Sequence, residues 1–320
     1  MNIRIKYLFL LLTASILFFG CFGKSDSDYL TVHMIDVGQG DSFLIKTPEG
    51  TSILIDGGSP QYGDDVVAYL KREKIQQIDY LIATHPHSDH IGGLVTVMNE
   101  FPVENLILPE VSHTSQLFES FLDTAFTTNV PLFPVKKSSR HSLEDEIFFD
   151  ILHTGVHYGS HLNNWSVVLR LTHQEMSFLF TGDLESEAER DLLNQFSSKK
   201  LASEVLKVGH HGSNTSTTPA FLQVVSPQVA LISCGINNQY GHPSTEVVNR
   251  LEESGVWIYR TDLQGTIVLY SDGYNVWSHQ PPVNLDPISS SNVKPSFCGF
   301  FVNGVPLLTA HIIPFKKEVV

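Results

Sequence analysis

Cysteine is scarce in this chain, with three residues in 320, at Cys21, Cys234 and Cys298. Three thiols so spread build no disulfide framework, and none falls among the histidines and aspartates that cluster elsewhere, which argues against a soft, thiolate-tuned metal centre. Cys234 ends an apolar run and reads as a small buried residue. Positive charge is also short: 20 Lys and Arg stand against 34 Asp and Glu, a formal charge of −14, with no dense basic run. Non-specific nucleic-acid binding rests on Lys and Arg replacing counterions, so only a local basic patch could support it here. Long apolar runs are nearly absent. The one at residues 7–19 falls short of the roughly 20 residues that span a bilayer, and nothing resembles a polytopic channel.

What is present is concentrated in Thr84-His85-Pro86-His87-Ser88-Asp89-His90-Ile91-Gly92-Gly93. It follows an apolar run, residues 80–83, that reads as a buried strand. Side chains two apart on an extended segment share a side, so His85 and His87 can reach one metal ion together. Asp89 and His90 come where the chain turns and can face the same cleft from the other side. Burying such a cluster is costly without a cation to share its lone pairs. Three surface histidines could fall this close by chance, but the strand before and the glycines after weigh against it.

His-x-His-x-Asp-His after a strand resembles the signature of the metallo-β-lactamase fold, a superfamily of mostly binuclear hydrolases. Further blocks resemble one branch, the extracytoplasmic hydrolase domain of the competence protein ComEC and its stand-alone relatives. They are residues 32–42 (Val-His-Met-Ile-Asp-Val-Gly-Gln-Gly-Asp-Ser), 54–58 (Leu-Ile-Asp-Gly-Gly), 163–168 (Asn-Asn-Trp-Ser-Val-Val), 181–183 (Thr-Gly-Asp), 207–213 (Lys-Val-Gly-His-His-Gly-Ser) and 240–243 (Tyr-Gly-His-Pro). The resemblance implies two divalent metal ions, zinc or manganese. His85 and His87 would hold one, Asp89 and His90 the other, with Asp183 as bridging carboxylate. His211 is the expected last ligand, with His210 turned toward substrate, although sequence alone leaves the choice between neighbours open. Many members supply a third histidine to the first metal; here that place reads His161-Leu162-Asn163-Asn164, so His161 and Asn164 are candidates for metal or substrate. Asp56 is expected to orient a ligand histidine from behind, and the role of Asp41 is open. Asp89, His210 and His242 are the catalytic candidates, while Ser213 and Thr215 lie on a loop that could cradle a phosphate.

Bottom-up, the pattern gives a mixed α/β layered domain; the four-layer αββα sandwich comes from the resemblance. Three β-rich runs before residue 55, a helix at 64–74, a strand at 78–83, an apolar helix from 91, strands near 167–171 and 177–180, a helix at 185–195 and a strand at 205–208 are expected. Arg4 and Lys6 before the apolar run, then Gly20-Cys21, describe a bacterial export signal. Gly20-Cys21 also resembles a lipoprotein cleavage site, although Phe18 and Phe19 depart from the usual Leu and small residue. The expected layout is a signal at 1–21, a tether at 22–29, a hydrolase domain at 30–280 and a Pro- and Ser-marked tail at 281–320 without an assigned role. The expected location is extracytoplasmic, on the bacterial cell membrane through lipid on Cys21.

The leading expectation is a phosphodiesterase or nuclease using a metal-bridging hydroxide, because the ComEC domain is thought to degrade one DNA strand during uptake. A small cell-wall or lipid phosphodiester suits the acidic composition better. A metal-binding surface lipoprotein without turnover is the reading from another class.

Overall fold

Alternation of apolar side chains sets the architecture. In β1 (Leu30–Met34), β2 (Phe43–Lys46) and β3 (Ser52–Ile55), the odd-numbered Phe43, Ile45, Ile53 and Ile55 enter one core while Leu44 and Leu54 enter another. Both faces of this meander are therefore covered. The computed structural model describes residues 26–284 together with 311–312; the segment expected to be an export signal, Cys21 and most of the tail lie outside the described residues.

The next elements are α1 (Gly63–Arg72), β4 (Tyr80–Ile82), α2 (Ser88–Ile91), α3 (Leu94–Glu100), β5 (Leu106–Pro109), α4 (Gln116–Thr127), β6 (Leu132–Val135), β7 (Ser139–Glu144), β8 (Ile147–Leu152), β9 (Val168–His173) and β10 (Met176–Phe180). After them come α5 (Ser186–Gln195), β11 (Val205–Lys207), α6 (Pro219–Val225), β12 (Val229–Ile232), α7 (Thr245–Glu253), β13 (Trp257–Arg260), β14 (Ile267–Ser271), β15 (Val276–Ser278) and β16 (His311–Ile312). One sheet runs β16-β15-β14-β1-β2-β3-β4-β5-β6 and the other β13-β12-β11-β10-β9-β8-β7. The tail thus supplies a short edge strand, antiparallel to β15.

Three cores separate four layers. Between the sheets lie Val32, Phe43, Ile82, Phe149, Leu169, Phe178 and Leu231 among others. Phe43 of the first sheet meets Phe180 of the second edge-on at 5.4 Å, a contact worth about 0.5–1.5 kcal/mol beyond its buried area. Val66, Leu70, Leu94, Val97 and Phe121 pack α1, α3 and α4 on the outside of the first sheet. Ala188, Leu192, Phe221, Leu222, Val247 and Leu251 pack α5, α6 and α7 on the outside of the second. This is an αββα sandwich.

Helix boundaries follow local chemistry. Asp64 and Asp65 open α1 and Lys71 and Arg72 close it, each sign suited to its end of the helix dipole. The helix expected from residue 91 is instead two, α2 and α3, divided at Gly92-Gly93. A Cβ on Gly93 would collide with the Gly57 carbonyl, so the chain there passes too close for any side chain.

Candidate metal centre

The cluster is assembled from both sheets. β4 delivers the extended loop that carries His85 and His87, and the first turn of α2 carries Asp89 and His90. From the second sheet, β10 ends in the turn that presents Asp183. Gly182 makes that turn at φ +52°, where a Cβ would sit 2.8 Å from the Ser166 hydroxyl. The same hydroxyl accepts the Asp183 N–H at 3.0 Å. After β11, His210 and His211 both adopt left-handed backbone (φ +49° and +55°). Such strain costs of order 1–3 kcal/mol per residue and persists only where its surroundings hold it. Here the His210 N–H donates to the Gly182 carbonyl at 3.2 Å, the Ser213 N–H donates to the His210 carbonyl at 2.8 Å, and His211 Nδ1 meets the Ser233 carbonyl at 2.9 Å.

One atom is the focus. Asp183 Oδ2 lies 3.2 Å from His90 Nε2, 3.3 Å from His211 Nε2, 3.8 Å from His210 Nε2 and 3.9 Å from His85 Nε2. Asp89 Oδ2 adds contacts of 3.4 Å to His211 Nε2 and 3.9 Å to His90 Nε2. His85 Nε2 and His87 Nδ1 face each other at 2.9 Å.

The tautomers decide what this arrangement can hold. His211 Nδ1 lies 2.9 Å from the Ser233 carbonyl, which can only accept, so Nδ1 carries the proton. His90 Nδ1 lies 2.8 Å from Asp56 Oδ2 and is protonated for the same reason. Both Nε2 atoms are buried and have no hydrogen-bond partner. In the neutral rings each is a lone pair aimed at carboxylate lone pairs, which is favourable only with a cation between them. Burial alone would lower the His90 and His211 pKa values, but attraction to Asp183, with Asp56 and Asp89 at His90 and Asp41 at His211, holds both well above the usual range. The field that would protonate these rings equally draws a divalent ion. Ligand atoms of Asp89, His90, Asp183 and His211 all lie within 4.8 Å of one another, so the residues present fit a metal. His85 is driven the other way, well below the usual range, by burial and by His90, which keeps it a neutral ligand.

Asp56 lies behind His90, on the side of the ring away from Asp183. It is fully buried, and its other oxygen accepts the Thr84 N–H at 2.8 Å. Its own φ of +56° is one that Asn tolerates, so Asp56→Asn keeps the backbone while removing the charge that fixes the His90 tautomer. Metal affinity is expected to fall about 10–100-fold, as measured by competition with a chromophoric chelator. Unchanged affinity would show that His90 does not depend on this carboxylate.

Other expected residues are placed differently. His161 is exposed. Asn164 is buried but turned away: its carbonyl accepts the Glu185 N–H at 3.1 Å and its amide donates to Glu187 at 3.2 Å. Its neighbour Asn163 faces the centre instead, with Nδ2 3.5 Å from His210 Nδ1. The Ser213 and Thr215 hydroxyls do not form an open phosphate cradle. They lie 3.0 Å apart, and Thr215 donates to Glu185 at 3.2 Å, so a carboxylate already sits where the anion would. His210 Nδ1 faces the same Glu185 at 3.4 Å, and its Nε2 looks into the cluster. His242 is half-buried with its ring 5.4 Å from that of His210. Burial, then the neighbouring His210 and His211, lower its pKa to about 4.

The sequence reading missed Lys207. Its ammonium is fully buried, 2.5 Å from Asp41 Oδ2 and 3.5 Å from Asp183 Oδ1, and donates to the Gly182 carbonyl at 2.6 Å. A lone lysine inside the apolar run 205–208 was the available signal. It also explains Asp41, whose second oxygen lies 3.3 Å from His211 Nδ1.

Residues 35–236 match the metallo-beta-lactamase superfamily. The chain belongs to it. Among relatives of this superfamily member, ComE operon protein 3 of Bacillus subtilis is 34% identical over 82% of this chain and 36% of its own length. Competence protein ComA of Neisseria gonorrhoeae is 30% identical over 72% of this chain and 31% of its own. The chain thus spans about a third of the length of these competence proteins. A solved structure, that of CmlA, a diiron β-hydroxylase from Streptomyces venezuelae, shares the fold at a TM-score of 0.51 and 12% identity, over 76% of this chain and 54% of that one. The protein is a metal-dependent hydrolase of this superfamily with ComEC-like relatives.

Proposed function

We propose that this chain is an extracytoplasmic phosphodiesterase, with a DNA strand as substrate, held at the bacterial cell membrane by lipid on Cys21. The convergence of Asp183 Oδ2 on four imidazole nitrogens is the observation that supports the reading, in which two divalent ions, zinc or manganese, would share this carboxylate. His85 and His87 with Asp183 would hold one, and Asp89, His90 and His211 with Asp183 the other. When bound, such ions supply a nucleophile at neutral pH and neutralise charge on phosphoryl oxygens. The remaining work falls to the protein. Asp56 and the Ser233 carbonyl fix the ligand tautomers, and Lys207 holds the outer oxygen of Asp183. His210, braced by Glu185, is placed to meet a phosphoryl oxygen or to pass a proton to the departing alkoxide. His242, its pKa lowered to about 4, offers a neutral ring with one N–H to donate and one lone pair to accept. The ComEC-like relatives support DNA as the substrate.

A second reading, a small cell-wall or lipid phosphodiester, draws on one observation. The open groove beside Asp89 has no Lys or Arg among its described lining residues, whereas long DNA is held by such groups. Cleavage of linear single- and double-stranded DNA and of bis(p-nitrophenyl) phosphate, with Mn²⁺ or Zn²⁺, separates the two. All cleavage is expected to disappear in His87→Ala. Hydrolysis of the small ester with DNA left intact would favour the second reading. Inertness of metal-loaded protein toward every ester would refute both.

A further inference from the structure

The groove beside Asp89, about 530 Å³ in volume, has walls that the chemistry above does not use. Resting on the phosphodiesterase reading, we propose that it binds the base of a nucleoside ester whose phosphate lies at the cluster. Position is the first ground: Asp89 belongs both to the cluster and to the groove wall, so a substituent on a phosphate there enters the groove directly. The volume falls within the ordinary range of small-ligand sites. The lining is the second ground. Without Lys or Arg among the described residues it does not suit another phosphate, but it presents the carboxamides of Gln39, Gln61 and Gln239. Each carries donors and an acceptor on one plane, the equipment that pairs with base edges. Gln39 is fixed by accepting the Gly235 N–H at 3.1 Å, which leaves its NH₂ group to serve a ligand.

The third ground is a file of rings. His211, buried, lies 6.4 Å from His242 with planes 29° apart, and His242 lies 5.8 Å from Tyr240 at 24°. The file runs from a metal ligand to open solvent and ends on Tyr240, 61% exposed, with Ile236, 71% exposed, on the same loop. That loop is already set. Asn238 donates to the Gly235 carbonyl at 2.9 Å and to the His242 carbonyl at 2.5 Å, and accepts from the Tyr240 and His242 N–H groups at 3.2 and 3.0 Å. A stacking platform held rigid in the free protein needs little ordering when a base arrives. A quaternary ammonium would also suit tyrosine faces and the carboxylate of Asp36, but it would leave the carboxamides without partners.

The test compares p-nitrophenyl esters of 5′- and 3′-thymidylate with methyl p-nitrophenyl phosphate and p-nitrophenylphosphorylcholine, using the metal-loaded full chain. In each case water adds to phosphorus and nitrophenolate leaves, so one absorbance reports every substrate. At least one nucleoside ester is expected to exceed the methyl ester in kcat/KM by about fivefold to a hundredfold. Tyr240→Ala should collapse that ratio toward one, while Tyr240→Phe should keep most of it. Equal kcat/KM for nucleoside and methyl esters, a ratio untouched by Tyr240→Ala, or preference for the phosphorylcholine ester would each overturn the base site while leaving phosphodiester hydrolysis standing. Inertness toward all four esters would remove the phosphodiesterase reading and this inference with it.

Discussion

In Asp183→Asn, metal binding at the cluster is expected to fail and turnover to drop on the order of 10³-fold, since Lewis-acid stabilisation is worth several kcal/mol. The change is nearly isosteric, so packing is spared. Its effect on the metal-free protein should be of the same sign, because the charge that attracts His90 and His211 is lost. Without metal, the Asp183 carboxylate faces His90 Nε2 at 3.2 Å and His211 Nε2 at 3.3 Å, and an amide there keeps the shape but not the attraction. Unfolding of metal-free samples should therefore show the variant less stable than the native chain, and added Zn²⁺ or Mn²⁺ should stabilise only the native chain. Metal content by elemental analysis and thermal unfolding with and without metal check both halves. Full stoichiometry in the variant would mean that Asp183 does not bridge the ions.

Lys207→Met should cost about 3–5 kcal/mol of folding stability, the penalty for stranding one member of a buried ion pair. The Met side chain fills a similar volume, so the loss would come from Asp41, which keeps its charge and loses the contact at 2.5 Å. A second substitution decides the matter: Lys207→Met with Asp41→Leu should recover part of the loss, because the stranded Asp41 charge is gone. Denaturant unfolding of the two single variants and the double supplies the cycle. A single-variant cost under about 1 kcal/mol, the scale of an exposed pair, would contradict the burial.

What could be read in advance follows how local each signal is. Period-two alternation in β1 to β3, and the ligands that end β4, β10 and β11, depend on neighbours in sequence, and they appear close to their expected bounds. β6 and β7 were not legible. Leu132-Phe133-Pro134-Val135 contains a proline and leaves three residues exposed, and Ser139–Glu144 is largely polar. Both are edge strands, one on each sheet, and edges tolerate proline and polar residues because one side lacks a ladder. The centre divides the same way. His85, His87, Asp89 and His90 belong to one short motif, whereas Lys207, Asn163 and Glu185 gain meaning only through partners brought near by the sheets. Asn164 and the Ser213–Thr215 pair looked available because sequence cannot show that Glu185 and Glu187 engage them.

The cluster also straddles a seam. His85, His87, Asp89 and His90 come from loops of the first sheet, and Asp183, His210 and His211 from loops of the second. Neutral links cross the same line, from the Val167 N–H to the Thr84 carbonyl at 2.9 Å and from the Ser233 hydroxyl to the Gly40 carbonyl at 2.7 Å. Neither half owns a whole centre. Ions bound there would act as rivets between two plates, and the rate at which a chelator strips them would time how often the plates part.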